Sequence, residues 1–372
     1  MLFPQPVLIG NLWTLKPSKL VRELKYYENL DGLRGIAALM VLIFHFFGYP
    51  ITDHIETRIY AKATEFGQHG VSLFFVLSGF VITRILIQSK ANDDYFRRFY
   101  WRRALRIFPL YYGFLLFWYF VMPLLLPERY PNITPFKEQV PFYLYLQNLS
   151  ELTGLSQAGA PQFWSLAVEE HFYFFWPLVI FVTPLNRLKG LIIGIIILVI
   201  PLKLYFLHQE ISINKITFTR FDQILLGALL AYYEATGLLA ERKKYFKRVF
   251  ETTLLAIVPI SVMVYVGQSL IPNIKEVFKY NLLGLIFFSI IGWLIVEPEK
   301  KVYNTVLRSP VLQYLGKISY GIYVWHLFVI LFIGDYFATE IIIVDLLLSV
   351  LFTILVAHIS YFYFEKKMLA YV

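Results

Sequence analysis

The chain contains no cysteine. Disulfides, thiolate metal sites and a cysteine nucleophile are therefore excluded. Charge is scarce too, at 16% of 372 residues, where soluble domains carry about a quarter. No short apolar stretch with a small-residue cleavage site opens the chain, so no removable signal peptide is expected. Nor is there a Gly-rich phosphate loop, a His-Glu-x-x-His zinc pair or a Gly-x-Ser-x-Gly elbow, and Ser78 in VLSGF reads as a small packing residue. No metal site and no tightly bound cofactor are expected. Internal repeats are missing as well, which counts against transporters built from two similar halves.

What the chain has instead is apolar surface. It is 58% hydrophobic and 19% aromatic, with a mean hydropathy of +0.61. That is too apolar for a soluble globule and suits an all-α, polytopic membrane helical bundle. Ten spans are predicted near 34–50, 69–88, 107–126, 163–183, 190–207, 218–236, 250–270, 279–297, 318–335 and 341–364. With both termini cytoplasmic, inner segments hold 23 Lys and Arg, outer loops hold seven, and four fall within spans. This asymmetry sets the orientation and accounts for the net charge of +9 without nucleic acid. The expected organisation is a tail over 1–25, a transmembrane domain over 26–367 and a short C-terminal tail over 368–372. The external loop 127–162 contains an aromatic segment expected at the bilayer interface.

Within this apolar chain, Arg34 and His45 stand eleven residues apart in LDGLRGIAALMVLIFHFF. Eleven residues is close to three helical turns, so both side chains share a face about 16 Å apart along the axis. A cation near one end and an imidazole near mid-depth are costly in hydrocarbon and usually face a polar cavity. The bland alternative is a snorkelling Arg and a hydrogen-bonded core His. Arg97, Arg98, Arg102, Arg103 and Arg106 lie between spans two and three, interleaved with Phe96, Phe99, Tyr100 and Trp101. Guanidinium forks bind phosphate oxygens and aromatic faces stack on bases, which suits a nucleotide such as coenzyme A. An anchor for anionic lipid headgroups is the competing reading.

The fourth span, QFWSLAVEEHFYFFWPL, carries adjacent Glu169 and Glu170 with His171 beside them. Ser165, Glu169 and Tyr173 share one helical face. The carboxylates could orient an imidazole, act in acid–base chemistry or simply pair with Arg220 on the sixth span, beside Asp222. In the ninth span His326 joins Ser319, Tyr320 and Tyr323 in a polar stripe, and packing is the alternative there. His358 reads as packing, and His54, His69 and His208 as outer-loop or boundary residues.

At these residues the chain resembles the acyltransferase-3 family of integral membrane acyltransferases, from about residue 26 to 367. LDGLRGIAALMVLIFH carries the family's arginine, ten intervening residues and histidine, as Arg34 and His45. GVSLFFVLSGFVIT, RRALRIFPLYY, WSLAVEEHFYFFWP with Trp164, ISYGIYVWH and the terminal YFYFEKK follow in the family's order. One departure is His171, where the family usually has Gln. The resemblance implies transfer of an acyl group, usually acetyl, from a cytoplasmic thioester to a hydroxyl of a carbohydrate acceptor. Some relatives carry an added esterase-like domain, which is expected to be absent from this chain.

Together these readings assign His45 as general base, with Asp31, Glu169 or Glu170 stabilising its charged form. Arg102, Arg103 and Arg106, extended by Arg34 and Arg84, are expected to hold acyl-CoA. Trp164, Ser165, His171, Tyr173, Arg220, Asp222, Tyr320 and His326 are candidates for the acceptor side. The expected setting is the bacterial cytoplasmic membrane, with acyl-CoA, carbohydrate and the lipid bilayer as partners. A glycan or lipid-linked transporter or flippase is the competing class, and a membrane scaffold a more distant one.

Overall fold

A computed structural model describes residues 25–48, 64–155, 159–267, 274–296, 302–339 and 341–370. His54, most of the N-terminal tail and the last two residues lie outside them. The described residues are helical, without strands. Among the described residues, ten helices of at least 18 residues correspond to the ten expected spans. They are α1 (Glu28–Gly48), α2 (Gly70–Ser89), α3 (Tyr95–Leu116), α4 (Trp164–Val182) and α5 (Leu185–His208). The second half comprises α6 (Thr217–Ala235), α7 (Lys243–Gly267), α8 (Lys275–Val296), α9 (Ser319–Tyr336) and α10 (Ile342–Ile359). Among the described residues, eight helical segments are long and apolar enough to cross a membrane.

The centre of the bundle is the contact between α2 and α6. In lipid, burial against another apolar helix gains little, so close packing decides which helices meet. Gly79 and Gly227 permit that closeness. A Cβ on Gly79 would stand 1.8 Å from the Ile224 carbonyl oxygen, and one on Gly227 would stand 1.9 Å from that of Val76. Around this pair α1 packs on α2 and α9, and α4 and α8 pack on both α2 and α6. On α5 and α10, apolar side chains such as Leu198 and Leu351 stay exposed, as a lipid-facing surface requires.

Central α6 is buried on nearly every side, including its charges. Lys203 of α5 donates to Asp222 Oδ2 at 2.5 Å and to Asn281 Oδ1 at 2.7 Å. Gln223 donates to the Tyr280 carbonyl at 2.9 Å. Arg220 donates to Ser72 Oγ at 3.2 Å, and its guanidinium carbon lies 3.8 Å from the Tyr280 ring centroid. Buried charges persist where they are paired, as Lys203 and Asp222 are, and Arg220 is held by Ser72 and the Tyr280 ring face.

One departure from the sequence reading bears on the site. The arginine-rich segment expected as a loop is the first three turns of α3, so that helix starts at Tyr95 rather than near 107. Tyr95 and Phe99 are buried one turn apart, while Arg97, Arg98, Trp101 and Arg102 stay exposed. This amphipathic stripe is what makes the segment helical. Pro109 interrupts the ladder, and the Tyr320 hydroxyl donates to the nearby Ile107 carbonyl at 2.8 Å. His45 lies three residues from the end of α1 and meets His326, the eighth of the eighteen residues of α9. In the external segment Tyr145 folds back to stack on Tyr111 at 4.3 Å, and Asn148 donates to Thr217 Oγ1 at 2.6 Å.

Candidate active site

Helices α1, α2, α3, α4 and α9 surround a cavity of about 350 Å³. On α2 its lining runs from Val71 to Ile85, fourteen residues and so about 21 Å of depth. One end lies among Lys25, Tyr26 and Arg84, the end that the distribution of Lys and Arg assigns to the cytoplasm. The other end is apolar, formed by Val71, Phe74, Phe75 and Leu166, with Ser165 and Tyr323 alongside.

The expected donor arginines separate into three groups. Arg103 and Arg106, one turn apart on α3, both line the cavity and have no salt bridge among the described residues. The Arg103 guanidinium stacks 4.5 Å from the Tyr173 ring centroid. Arg34 also lines the cavity, 3.5 Å from Asp31 Oδ1. Arg84 borders the mouth, but Glu234 grips its guanidinium through both Nε and Nη2. Arg84 also donates to the Lys25 carbonyl at 2.9 Å, and the Tyr27 hydroxyl donates to Glu234 at 2.7 Å. This clamp ties α2 to α6 and to the residues preceding α1. Arg102 is exposed and outside the cavity lining.

At the mouth, Tyr26 donates to Asp31. Partial burial of its hydroxyl, and then that carboxylate, push the Tyr26 phenol above its ordinary range. Asp31 lies fourteen residues from His45 on the same helix, about 21 Å along the axis. It is therefore a partner of Arg34 and Tyr26 rather than of the imidazole.

Glu169, Tyr173 and Ser165 do share the cavity face of α4. Tyr173 Oη lies 2.5 Å from Ser78 Oγ, so Ser78 faces the cavity and Tyr173 rather than merely filling space. Glu170 points elsewhere, its Oε1 buried without a hydrogen-bond partner among the described residues. Neither glutamate forms a salt bridge with Arg220 among the described residues, so that explanation of their presence does not hold. His171 hydrogen-bonds Thr217 Oγ1 at 2.6 Å and holds α4 to α6, outside the cavity lining. Trp164 stands with Phe75 and Tyr280 around Arg220. Arg220 and Asp222 thus belong to the buried network of α6, outside the cavity lining.

His45 and His326 come together although 281 residues separate them in sequence. His326 Nε2 lies 3.2 Å from His45 Nδ1, with ring centroids 4.9 Å apart. Neither ring lines the cavity. Tyr323 does, and its ring centroid is 5.8 Å from that of His326. Tyr323 thus joins the cavity wall to the histidine pair. Tyr320 also lines the cavity. Glu234 was invisible to sequence reasoning, because a carboxylate at the inner end of a span looks like any boundary charge. Tyr323 had a signal in the ninth-span polar stripe.

A family model described as an acyltransferase domain matches residues 27–363. The chain belongs to the acyltransferase-3 family. It is 29% identical to the Staphylococcus aureus (strain COL) protein named "Putative O-acetyltransferase SACOL0978", over 92% of this chain and 57% of that one. It is 28% identical to the Bacillus subtilis protein named "Putative peptidoglycan O-acetyltransferase YrhL", covering 92% of this chain and 55% of that one. It is likewise 28% identical to "O-acetyltransferase OatA" of Staphylococcus aureus (strain NCTC 8325), covering 92% and 57%. The chain thus spans little more than half the length of these relatives. No solved structure matches it significantly.

Proposed function

We propose that this acyltransferase-3 protein is a membrane-embedded O-acyltransferase. It moves an acetyl or other acyl group from cytoplasmic acyl-CoA to a hydroxyl of a cell-envelope carbohydrate, with His45 as general base, in the bacterial cytoplasmic membrane. The observation that carries this reading is the polarity of the cavity. Arg103 and Arg106 line it without a salt bridge among the described residues, and its far end is apolar. Guanidinium forks suit the phosphates of coenzyme A. The pantetheine arm, about 15 Å or more when extended, fits a depth of about 21 Å. The apolar end suits a short acyl group. The O-acetyltransferase names of the relatives support the same chemistry.

His45 takes the acceptor's hydroxyl proton, since imidazole titrates near neutrality. The oxygen bonds the thioester carbonyl carbon, the carbon–sulfur bond breaks, and the departing sulfur receives the proton. The test combines labelled acetyl-CoA, extracted surface glycans and protein in membranes. Label should enter the glycan fraction, and His45→Ala should abolish this while leaving insertion intact. Full activity in that variant removes His45 from the mechanism. A transporter or flippase would neither bind nor hydrolyse acetyl-CoA.

A further inference from the structure

His326 has no exposed surface, and its two ring nitrogens meet opposite kinds of partner. Nδ1 lies 2.7 Å from the Tyr323 carbonyl oxygen and 3.2 Å from that of Ile322. A carbonyl only accepts, so this nitrogen carries the ring's hydrogen, and in neutral imidazole Nε2 is then an acceptor. That acceptor faces His45 Nδ1 at 3.2 Å. His45 Nδ1 also lies 2.9 Å from the Val41 carbonyl and by the same reasoning bears a hydrogen. One N–H thus serves two acceptors, and the lone pair of neutral His45 is directed to Nε2.

Resting on the proposed role of His45 as base, we infer that His326 is its positioning residue, a neutral imidazole that fixes the tautomer and ring angle of the base. Catalytic bases are commonly oriented by a third group, often a carboxylate. Here the nearest carboxylate on the same helix face, Asp31, stands at the far end of α1 and is engaged by Arg34 and Tyr26. A neutral partner has an advantage in this setting, because it adds no second buried charge. During transfer the acceptor's proton rests on His45 Nε2 and then passes to the departing thiolate. In between, the imidazolium's Nδ1–H points at a lone pair of His326 in a site away from bulk water. His326 neither gains nor loses a proton over the cycle. Two backbone carbonyls hold its ring, so the orientation of His45 is tied to the start of α9, where Tyr323 lines the cavity.

The experiment measures CoA thiol release from acetyl-CoA by the full-length protein in detergent. It compares the wild type with His45→Ala, His326→Leu and His326→Gln. His326→Leu removes the acceptor and should lower kcat by about tenfold to a hundredfold, with donor KM within twofold. His326→Gln places an amide oxygen near the lost Nε2 and should recover most of that loss, which a purely packing role would not require. Wild-type kcat in His326→Leu, or a loss in KM alone, overturns the inference while a dead His45→Ala keeps the reading of the base. A fully active His45→Ala overturns that reading and the inference with it, and so does a wild type that releases no CoA. Ring nitrogen shifts of 15N-histidine-labelled wild type give a check independent of turnover. His45 should be the Nδ1–H tautomer, and the opposite tautomer overturns the inference.

Discussion

Tyr323 Oη donates to the Gln162 carbonyl, so the Ser165 hydroxyl, 2.6 Å away, must donate to it. A phenol has one hydrogen, and the carbonyl takes it. This pair of bonds joins α9 to the start of α4 beside the apolar end of the cavity, next to His326. Tyr323→Phe keeps the ring but leaves the buried Gln162 carbonyl and Ser165 without their partner. Thermal unfolding in detergent should register a loss of about 1–3 kcal/mol. No change in the midpoint would mean that water or a shifted side chain replaces the phenol.

The arginines of α3 should separate in donor titrations. Arg103→Ala removes a cation that lines the cavity and stacks on Tyr173. Losing one charge-assisted contact to a phosphate is worth about 1.5–3 kcal/mol, so donor KM should rise about tenfold or more with kcat less affected. Arg106→Ala should behave alike. Arg102→Ala, exposed and outside the cavity, should give a clearly smaller rise. Equal effects at all three positions would favour a diffuse attraction of anions over a defined seat.

Breaking the Lys203–Asp222 pair should be costly for stability. Lys203→Met leaves Asp222 buried with its main counter-charge gone, a loss of about 3–5 kcal/mol. Combining it with Asp222→Leu should restore much of that stability. Expression and melting of the single and double variants decide the matter. A single variant as stable as the wild type would show that the pair is dispensable.

The contact of α2 with α6 leaves no room for a side chain at its centre. Gly227→Ala forces a Cβ toward the Val76 carbonyl, and rigid backbone cannot swing aside. Overpacking of this kind costs about 1–3 kcal/mol. Gly190→Ala, on α5, where a Cβ meets nothing within 4 Å, is the matched control and should be neutral. Equal melting temperatures for the two variants would contradict the backbone-to-backbone contact.

The ten helices are legible in the sequence because hydropathy over some twenty residues is a local property. Where helices continue beyond the apolar run is less so. The turns of α3 before residue 107 are written as buried Tyr95 and Phe99 against exposed arginines, a periodicity masked by the density of charge. Arg34, Arg103, Arg106, Glu169 and Tyr173 are recognisable as polar residues in an apolar context, and they do meet around one cavity. Their partners are not recognisable, because partnership is set by which helices touch. Glu234 becomes the counter-ion of Arg84 only when α6 lies against α2. His326 is a single imidazole on an apolar helix until α1 is placed beside it.

Because Gly79 and Gly227 bring two main chains into direct touch, the wall that α2 contributes has nothing soft behind it at that level. A bulkier guest must therefore make its space on the opposite side, by shifting side chains of α3 and α9 rather than by bending the spine. Variation in which acyl chain is admitted is thus expected to map to Ile107, Tyr320 and Tyr323, and to leave the glycine seam untouched.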